Sequence, residues 1–413
     1  MDEQPLMHDW NEAGERWERP AIRVRLLDET LRDGLQAPMT RSPSLDERVE
    51  VLHLMDRLGI DSVNLGLPGA GERVARDATR LAEEIRAARL RLGASCAARA
   101  IARDIIPIVV LSQKAGIPVE VCAFVGSSPV RQYAGDWTVE AMERHTADAV
   151  GLAVEHGLQV TVVTEDTARA RPGTLRRLFL AAIGAGARRL CLCDTAGHAT
   201  PAGAANLVRY AREVVRTSGA DVALDWHGHS DRGLAVANAL GAVRAGASRV
   251  HACALGLGER AGNTPMDQVL VNLRLLGWID NDLSALDAYC AKVSAMTGVP
   301  IPPGYPAVGR DAFRTATGMQ AAALLKARRR GDAEMADRVV SAVPAALVGR
   351  LQEVEVGPAG GVSNVVWWLE GHGVEPTPER TQAVYQRARS ASRALSEPEI
   401  RAVLDALEET RGS

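Results

Sequence analysis

Short apolar runs rich in β-branched residues alternate with segments of helical periodicity eight times between Ile22 and Trp278. Most of these runs begin just after a loop that contains glycine. Eight successive β-α units are typical of the (β/α)8 barrel, so the sequence predicts an α/β protein built on a TIM barrel. A doubly wound open sheet would show the same alternation. It is disfavoured because residues 28–36, after the first run, contain one glycine and no nucleotide-binding fingerprint.

The predicted elements can be placed in order along the chain. The eight strands occupy residues 22–27, 60–65, 90–96, 119–125, 158–164, 189–193, 222–226 and 249–254. Between them, helical periodicity is clear at residues 46–58, 138–155 and 200–215.

Beyond Trp278 the alternation stops, and a segment rich in proline follows at residues 300–306. Ser396 and Glu399 form a capping-box pattern that predicts a last helix. We therefore expect an N-terminal extension over residues 1–20, a barrel domain over 21–284 and a smaller, mainly helical C-terminal region over 285–413. Because about 70 residues follow Pro344, we expect no full regulatory domain there.

Composition and charge exclude several classes of function. The 413 residues, of which 46% are hydrophobic, can bury a sizeable core. A net charge of -3 gives no basic footprint for nucleic acid. The chain shows no signal-peptide pattern and no run long enough to span a bilayer, so a cytoplasmic protein without a membrane partner is expected. The six cysteines lack zinc-finger spacing and are expected to be reduced core thiols.

Polar motifs follow four of the predicted strands. They are DETLRDGLQ at residues 28–36, DTAG at 194–197, HGHSD at 227–231 and GLGERAGN at 256–263. A TIM barrel builds its active site from the carboxyl ends of its strands. We therefore expect these motifs to meet in one site, with Glu165 close by after the fifth strand.

A histidine pair indicates a metal site. His227 and His229 are two residues apart, so on an extended strand end both imidazoles point into the barrel mouth. Together with Asp33 they form a mixed nitrogen and oxygen site suited to a divalent cation with open positions. The alternative is a hydrogen-bonded histidine pair without metal. The three further motifs at strand ends favour the metal site.

Together the four motifs resemble the metal-dependent acyl-CoA/2-oxoacid synthase and lyase superfamily, over about residues 22–280. This superfamily includes 2-isopropylmalate, homocitrate and citramalate synthases and hydroxymethylglutaryl-CoA lyase. The resemblance implies that Asp33, His227 and His229 bind one divalent ion (Mg2+, Mn2+ or Zn2+), with Asn263 at or near it. It also implies acetyl-CoA as co-substrate. The lyases carry a catalytic cysteine in the last glycine loop, whereas residues 254–263 contain none.

The implied reaction is a Claisen-type condensation of acetyl-CoA with a 2-oxo acid to a 2-hydroxy dicarboxylate, as in 2-isopropylmalate synthase. The alternatives are a homocitrate or citramalate synthase-like enzyme of a specialised pathway, a metal-dependent retro-aldol lyase, and a non-catalytic paralogue.

The resemblance also implies roles for single residues. Arg32 would stabilise the oxyanion that grows on the 2-oxo group, instead of forming a surface ion pair. Glu165 would act as base, hold a water or ligand, or form a structural salt bridge. Thr195 would bind the substrate carboxylate, and Glu259 and Arg260 would pair to shape their loop. His198 is a further candidate for proton transfer, and His251 is a minor one. The other expected substrate contacts are Gln36, Arg99, Cys122, Phe124 and Arg131.

Several positions depart from the family pattern. Thr315 and Gln320 stand where synthases usually have histidines in the C-terminal subdomain. Asn64 stands where a glutamate is common on the second strand, and Cys122 where a histidine is common on the fourth. Thr161 occupies the place of a homocitrate synthase arginine. Synthases of this type are homodimers in which one C-terminal subdomain covers the partner's barrel, so proton abstraction here would pass to Glu165 or His198.

Overall fold

A computed structural model describes residues 8–14 and 16–412 and confirms the predicted TIM barrel. Eight parallel strands form a closed barrel in chain order, and β1 pairs with β8 to close it. The strands are β1 (Arg25–Asp28), β2 (Ser62–Asn64), β3 (Gly93–Arg99), β4 (Val119–Gly126), β5 (Val160–Glu165), β6 (Arg189–Asp194), β7 (Ala223–Gly228) and β8 (Arg249–Ala252).

Helices follow each strand. They are α1 (Leu45–Arg57), α2 (Glu72–Ala87), α3 (Ala102–Ala115), α4 (Pro129–Gly135), α5 (Val139–Glu155), α6 (Pro172–Gly184), α7 (Pro201–Ser218), α8 (Ala235–Ala245), α9 (Met266–Leu275) and α10 (Leu286–Thr297). Side-chain caps set the starts of several: the hydroxyls of Ser44, Thr138 and Thr200 each accept a first-turn N–H. The short helix α4, capped by Ser128, was not predicted.

The chain divides into two compact units, and the first holds the barrel. It comprises the chain up to Asp282 together with Ala288–Pro300. Part of the N-terminal extension packs in this unit, where Trp17 stacks on Trp278 with ring centroids 6.0 Å apart. Residues 1–7 of the extension lie outside the described residues.

The second unit, Leu283–Asp287 and Ile301 onward, is mainly helical, as predicted. It contains α11 (Gly318–Arg329), α12 (Ala333–Arg338), α13 (Val362–Gly371), α14 (Pro378–Arg389) and α15 (Glu397–Gly412), with a parallel pair of short strands, β9 (Arg314–Thr315) and β10 (Glu353–Val354). Its core includes Val365, Leu369 and Val384. All six cysteines of the protein are buried thiols. Among the described helices, none has the length and hydropathy of a membrane span.

A buried ion cluster fills part of the barrel interior below its carboxyl end. Arg249 on β8 donates from Nη1 and Nη2 to Glu120 at 2.7 and 2.8 Å, and from Nε to Asp225 at 2.8 Å. Thr161 belongs to this cluster, because its hydroxyl donates to Glu120. The hydroxyl of Thr161 therefore bonds below the pocket described next, and Thr161 is not among the lining residues of that pocket.

We expect Arg249→Ala to destabilise the fold strongly. The side chain of Arg249 is 6% exposed. Its removal leaves Glu120, which is 16% exposed, without its arginine, and it takes from the fully buried Asp225 one of its two arginines, the other being Arg189. Breaking a buried ion pair in this way costs about 3–5 kcal/mol. Urea unfolding followed by circular dichroism measures the loss. Arg216→Ala, which breaks an exposed pair with Glu213 on α7, is the control and should leave the midpoint unchanged. Equal midpoints for the two variants would contradict the prediction.

Candidate metal centre and active site

A pocket of about 230 Å³ opens at the carboxyl ends of the barrel strands, where the motifs were predicted to meet. All eight strand ends and the loops after them contribute to its wall. The lining residues are Glu29, Arg32, Asp33, Gln36, Asn64, Leu67, Ala97, Cys122, Phe124, Val163, Glu165, Cys193, Thr195, His227, His229, His251 and Glu259. Most of the charged groups stand on the β1, β7 and β8 side, whereas the β3 and β4 wall is apolar.

Three donor atoms form a compact triangle in this pocket. Oδ2 of Asp33 lies 3.4 Å from Nε2 of His227 and 3.8 Å from Nε2 of His229, and the two Nε2 atoms are 3.4 Å apart. A cation at the centre would lie about 2.0–2.2 Å from each atom, the usual range for imidazole nitrogen and carboxylate oxygen ligands. The geometry fits the predicted metal centre.

The electrostatics suit the same three ligands. Burial and the neighbouring His227 lower the pKa of His229 to about 4, so its imidazole is neutral at neutral pH, as a metal ligand must be. Burial alone would raise the pKa of Asp33, but Arg32 and His227 hold it well below its ordinary value. The site therefore offers one carboxylate and two imidazole nitrogens to a cation.

Buried polar atoms beside the triangle lack partners. The main chain of Asn263 pairs with His229 in an isolated antiparallel bridge, and its Nδ2 donates to Leu257 O at 2.9 Å. Its Oδ1 is buried and accepts no hydrogen bond from the described residues. Leaving a buried acceptor unsatisfied is costly, and a cation or its water would satisfy it. The assignment of Asn263 to the metal centre stays a prediction, which the backbone bridge to His229 and the unpaired Oδ1 support.

A second group, Glu29, His227 and His251, also has the spacing of a metal site. Glu29 is already committed to Arg32, and Nε2 of His251 lies 3.0 Å from Oδ2 of Asp225. The triangle with Asp33 is the better cation site because its contacts with other charged side chains are longer: Asp33 lies 3.6 Å from Arg32.

Glu29 holds Arg32 in place. Oε2 of Glu29 accepts from Nε and Nη2 of Arg32 at 2.8 and 2.7 Å, while Asn64 Nδ2 donates to Oε1 at 3.3 Å. Burial would raise the pKa of Glu29, but Arg32, His251 and His227 together outweigh it, and the pKa falls to about 2. Arg32 is 22% exposed and its Nη1 lies 3.6 Å from Oδ1 of Asp33, so it is not a surface ion pair.

Sequence reasoning did not identify this role of Glu29. Two features of the sequence, considered together, could have indicated it. Asn64 stands on the second strand where the family commonly has a glutamate, and the first motif supplies an acidic residue, Glu29. Their side chains meet because β1 and β2 are neighbours, with Asp28 opposite Val63.

Glu165 and Thr195 line the pocket beside this centre. Oε1 of Glu165 lies 2.9 Å from Nη2 of Arg131, and Thr195 Oγ1 accepts from Asp166 N at 2.9 Å. Asp194 accepts from the N–H groups of His198 and Ala199, and this orients the loop that carries Thr195. Gln36, Cys122 and Phe124 also line the pocket, as predicted.

The structure does not bring every predicted residue to this pocket. His198 is exposed on a separate surface depression with Tyr210 and Arg232, so its predicted role in proton transfer is not supported. Arg99 and Arg131 line a neighbouring cavity, and Arg99 is bound to Asp104. Thr315 and Gln320 lie in the second unit, where the Thr315 hydroxyl donates to Gln320 Oε1.

The expected pairing of Glu259 with Arg260 is present as a long contact. Their closest charged atoms are 3.9 Å apart, and Glu259 also lines the pocket. Arg260 makes shorter contacts elsewhere, since it binds Asp231 at 2.8 and 3.1 Å and donates to Thr195 O at 2.6 Å. Arg260 therefore links the loops that follow β6, β7 and β8.

Glycines allow the last of these loops to fold tightly. Gly262 has a φ of +87°, and a Cβ there would lie 1.9 Å from Gly256 O. Gly258 has a φ of +150°, and a Cβ there would lie 2.2 Å from Nδ2 of Asn263. Neither position can accept a side chain without moving the backbone around Asn263.

We therefore expect Gly262→Ala to displace Asn263 and weaken metal binding roughly tenfold to a hundredfold, the usual effect of losing support around a metal ligand. Calorimetric titration with Mn2+ measures the affinity. Gly151→Ala is the control, since its Cβ on α5 would meet no atom within 4 Å. Unchanged affinity in Gly262→Ala would show that the loop is not part of the metal site.

Comparison with known proteins comes from sequence and from structure. The family model described as HMGL-like matches residues 23–291. Homocitrate synthase AksA of Methanopyrus kandleri is 32% identical, with 94% of this chain and 91% of the relative covered. The probable 2-isopropylmalate synthase of the same organism is 32% identical over 89% of this chain and 69% of the relative.

Homocitrate synthase 1 of Nostoc sp. is 31% identical over 90% of this chain and 93% of the relative. Among solved structures, the HMG-CoA lyase of Bacillus subtilis superposes with a TM-score of 0.58 at 19% identity, over 69% of this chain and 97% of the lyase. At that identity the structural likeness supports the fold alone.

Proposed function

The chain belongs to the HMGL-like family, and we propose on this premise that it is an acyltransferase that condenses acetyl-CoA with a 2-oxo acid, as 2-isopropylmalate synthase does. The observation that carries the proposal is the triangle of Asp33, His227 and His229 with Arg32 beside it in one pocket. The relatives at 31–32% identity, which are homocitrate, citramalate and 2-isopropylmalate synthases, support the same class of reaction.

A divalent ion held by Asp33, His227 and His229 would act as a Lewis acid toward the oxo group of the acceptor. Arg32, fixed by Glu29, donates its remaining N–H groups to the oxygen on which negative charge grows. Thr195 accepts from Asp166 N, and this leaves its hydroxyl proton for the acceptor's carboxylate.

We propose that a carboxylate of the pocket removes the methyl proton of acetyl-CoA. Glu29 is bound to Arg32 and Asp33 belongs to the metal triangle, which leaves Glu165 and Glu259. We assign the base to Glu165, since Arg131 holds it beside the reacting groups while the side chain of Glu259 is 59% exposed. The carbanion then attacks the oxo carbon, the new alkoxide takes a proton, and water hydrolyses the thioester to release CoA.

The lyase reaction is less well supported. The glycine loop has no cysteine after Cys253, and Cys253 itself is buried. Burial raises the pKa of its thiol well above the ordinary value, so it is not a reactive thiolate.

Thiol release tests the proposal. The protein is incubated with acetyl-CoA, Mg2+ or Mn2+ and a panel of 2-oxo acids, and free CoA is measured with a thiol reagent. Release should require both the metal and an acceptor. No release with any acceptor would contradict the proposal, and ligand-dependent thermal stabilisation without turnover would indicate a non-catalytic paralogue.

In Glu165→Gln, exchange of the acetyl-CoA methyl protons with deuterated solvent should stop, whereas Glu259→Gln should retain it.

The homodimer expected from the resemblance remains part of the proposal. Sedimentation velocity tests it directly, because a monomer at micromolar concentration would contradict it.

A further inference from the structure

A second cavity, of about 440 Å³, adjoins the pocket at the ends of β3 and β4. Phe124 and Glu165 line both cavities and so form the wall between them. The rest of this chamber is largely apolar, with Ile101, Val125, Ala134, Trp137 and Met142 among its lining residues. The catalytic pocket therefore borders a largely apolar chamber across Phe124 and Glu165.

The polar groups of the pocket determine which part of an acceptor can face this chamber. On the proposed function, the oxo group and carboxylate of a 2-oxo acid lie against Arg32, Thr195 and the metal triangle. The remaining wall toward the chamber is formed by Ala97, Cys122, Phe124 and Val163, together with Glu165. The third substituent of the oxo carbon is the side chain of the acid, and it must point along this apolar wall.

Both cations of the chamber already have carboxylate partners. Arg131 lies 2.9 Å from Glu165, and Arg99 binds Asp104 through Nε and Nη2 at 2.7 and 2.9 Å. Asp104 is fully buried, whereas the side chain of Arg99 is 45% exposed, and the two hydrogen bonds direct the Arg99 guanidinium to Asp104. A distal carboxylate on the acceptor would lie near the negative charge of Glu165, and neither Arg99 nor Arg131 could bind it without leaving its own carboxylate. The expectation that Arg99 or Arg131 binds an extra anionic group is therefore not supported.

We propose that this chamber receives the side chain of the 2-oxo acid, and that the acceptor carries an extended apolar side chain that passes Phe124, which lines both cavities. The proposal rests on the proposed function for the position of the oxo acid, and it adds the chemical class of the substrate. An acceptor with a second carboxylate, such as 2-oxoglutarate, is a poor fit to the same chamber.

Binding tests the chamber independently of turnover. Calorimetric titration in saturating Mg2+ compares pyruvate, 2-oxobutyrate, 2-oxohexanoate and 2-oxooctanoate with 2-oxoglutarate. We expect the association constant to rise roughly threefold to fourfold for each methylene buried. 2-Oxoglutarate should bind more weakly than 2-oxohexanoate. Tighter binding of 2-oxoglutarate, or no dependence on chain length, would overturn the proposal.

Two variants on α4 locate the effect. Ala134 is exposed on this helix and lines the chamber, so Ala134→Phe fills it without removing any core residue. It should lower the ratio of the association constants for 2-oxooctanoate and pyruvate at least tenfold. Val130, on the same helix, is 53% exposed and not part of the lining, and Val130→Phe should leave the ratio unchanged. The same ratio in both variants would overturn the proposal.

Two further outcomes separate this inference from the proposed function. If Ala134→Phe weakens the binding of CoA while the dependence on acceptor length persists, the chamber holds the thioester arm and the proposal is wrong. If long-chain acids bind as expected but no acceptor releases CoA thiol from acetyl-CoA, the chamber proposal stands and the acyltransferase function fails.

Discussion

Asp33→Ala, His227→Ala and His229→Ala are each expected to abolish tight metal binding and turnover while the barrel stays folded. The three donor atoms lie within 3.8 Å of one another, so removing one leaves two ligands, too few to hold a divalent ion at micromolar concentration. The fall in kcat/KM should be at least about a thousandfold, because a Lewis acid contributes several kcal/mol to the stabilisation of charge in a transition state.

Metal content by mass spectrometry, circular dichroism and thiol release, measured side by side, check this prediction. His53→Ala is the matched control, because His53 is a half-exposed histidine of α1 that bonds to Glu84. It should keep the metal and the activity. Full metal content in all three triangle variants would show that the cation binds elsewhere.

Arg32→Lys is expected to fold and bind metal but to lose about a hundredfold or more of kcat, the usual loss for an oxyanion donor. Glu29 accepts hydrogen bonds from Nε and Nη2 of the guanidinium, and this arrangement directs the other N–H groups toward the metal triangle. A lysine ammonium is compact and cannot serve both partners in this planar arrangement. Steady-state kinetics at saturating acceptor measure the loss, and an unchanged kcat would make Arg32 a structural residue only.

The support that Glu29 gives to Arg32 can be tested by moving the carboxylate. Glu29→Gln should lower kcat, since the amide keeps the shape but not the charge that holds the guanidinium. Asn64 donates to Glu29 from the neighbouring strand, so its side chain reaches the same place. The double variant Glu29→Gln with Asn64→Glu returns a carboxylate to the strand where this family commonly has one. It should recover much of the lost kcat. A double variant as slow as, or slower than, the single one would contradict this account.

The sequence by itself determined the barrel, the strands that end at the site and the three metal-ligand candidates. Most of this follows from local order: periodicity marks the elements, and a barrel brings the carboxyl ends of its parallel strands together whatever the loop lengths. The two-residue repeat of a strand was enough to place His227 and His229 together, whereas the choice of Asp33 among the acidic residues after β1 came from the family resemblance.

Tertiary structure alone decided which charged groups meet. Glu165 pairs with Arg131 on the unpredicted helix α4, and Arg260 lies closer to Asp231 on another loop than to its neighbour Glu259. Thr161 bonds below the pocket and Val163 lines it, although both stand on β5. A long charged side chain can turn toward any of several partners, so its choice depends on three-dimensional packing that no local pattern in the sequence records.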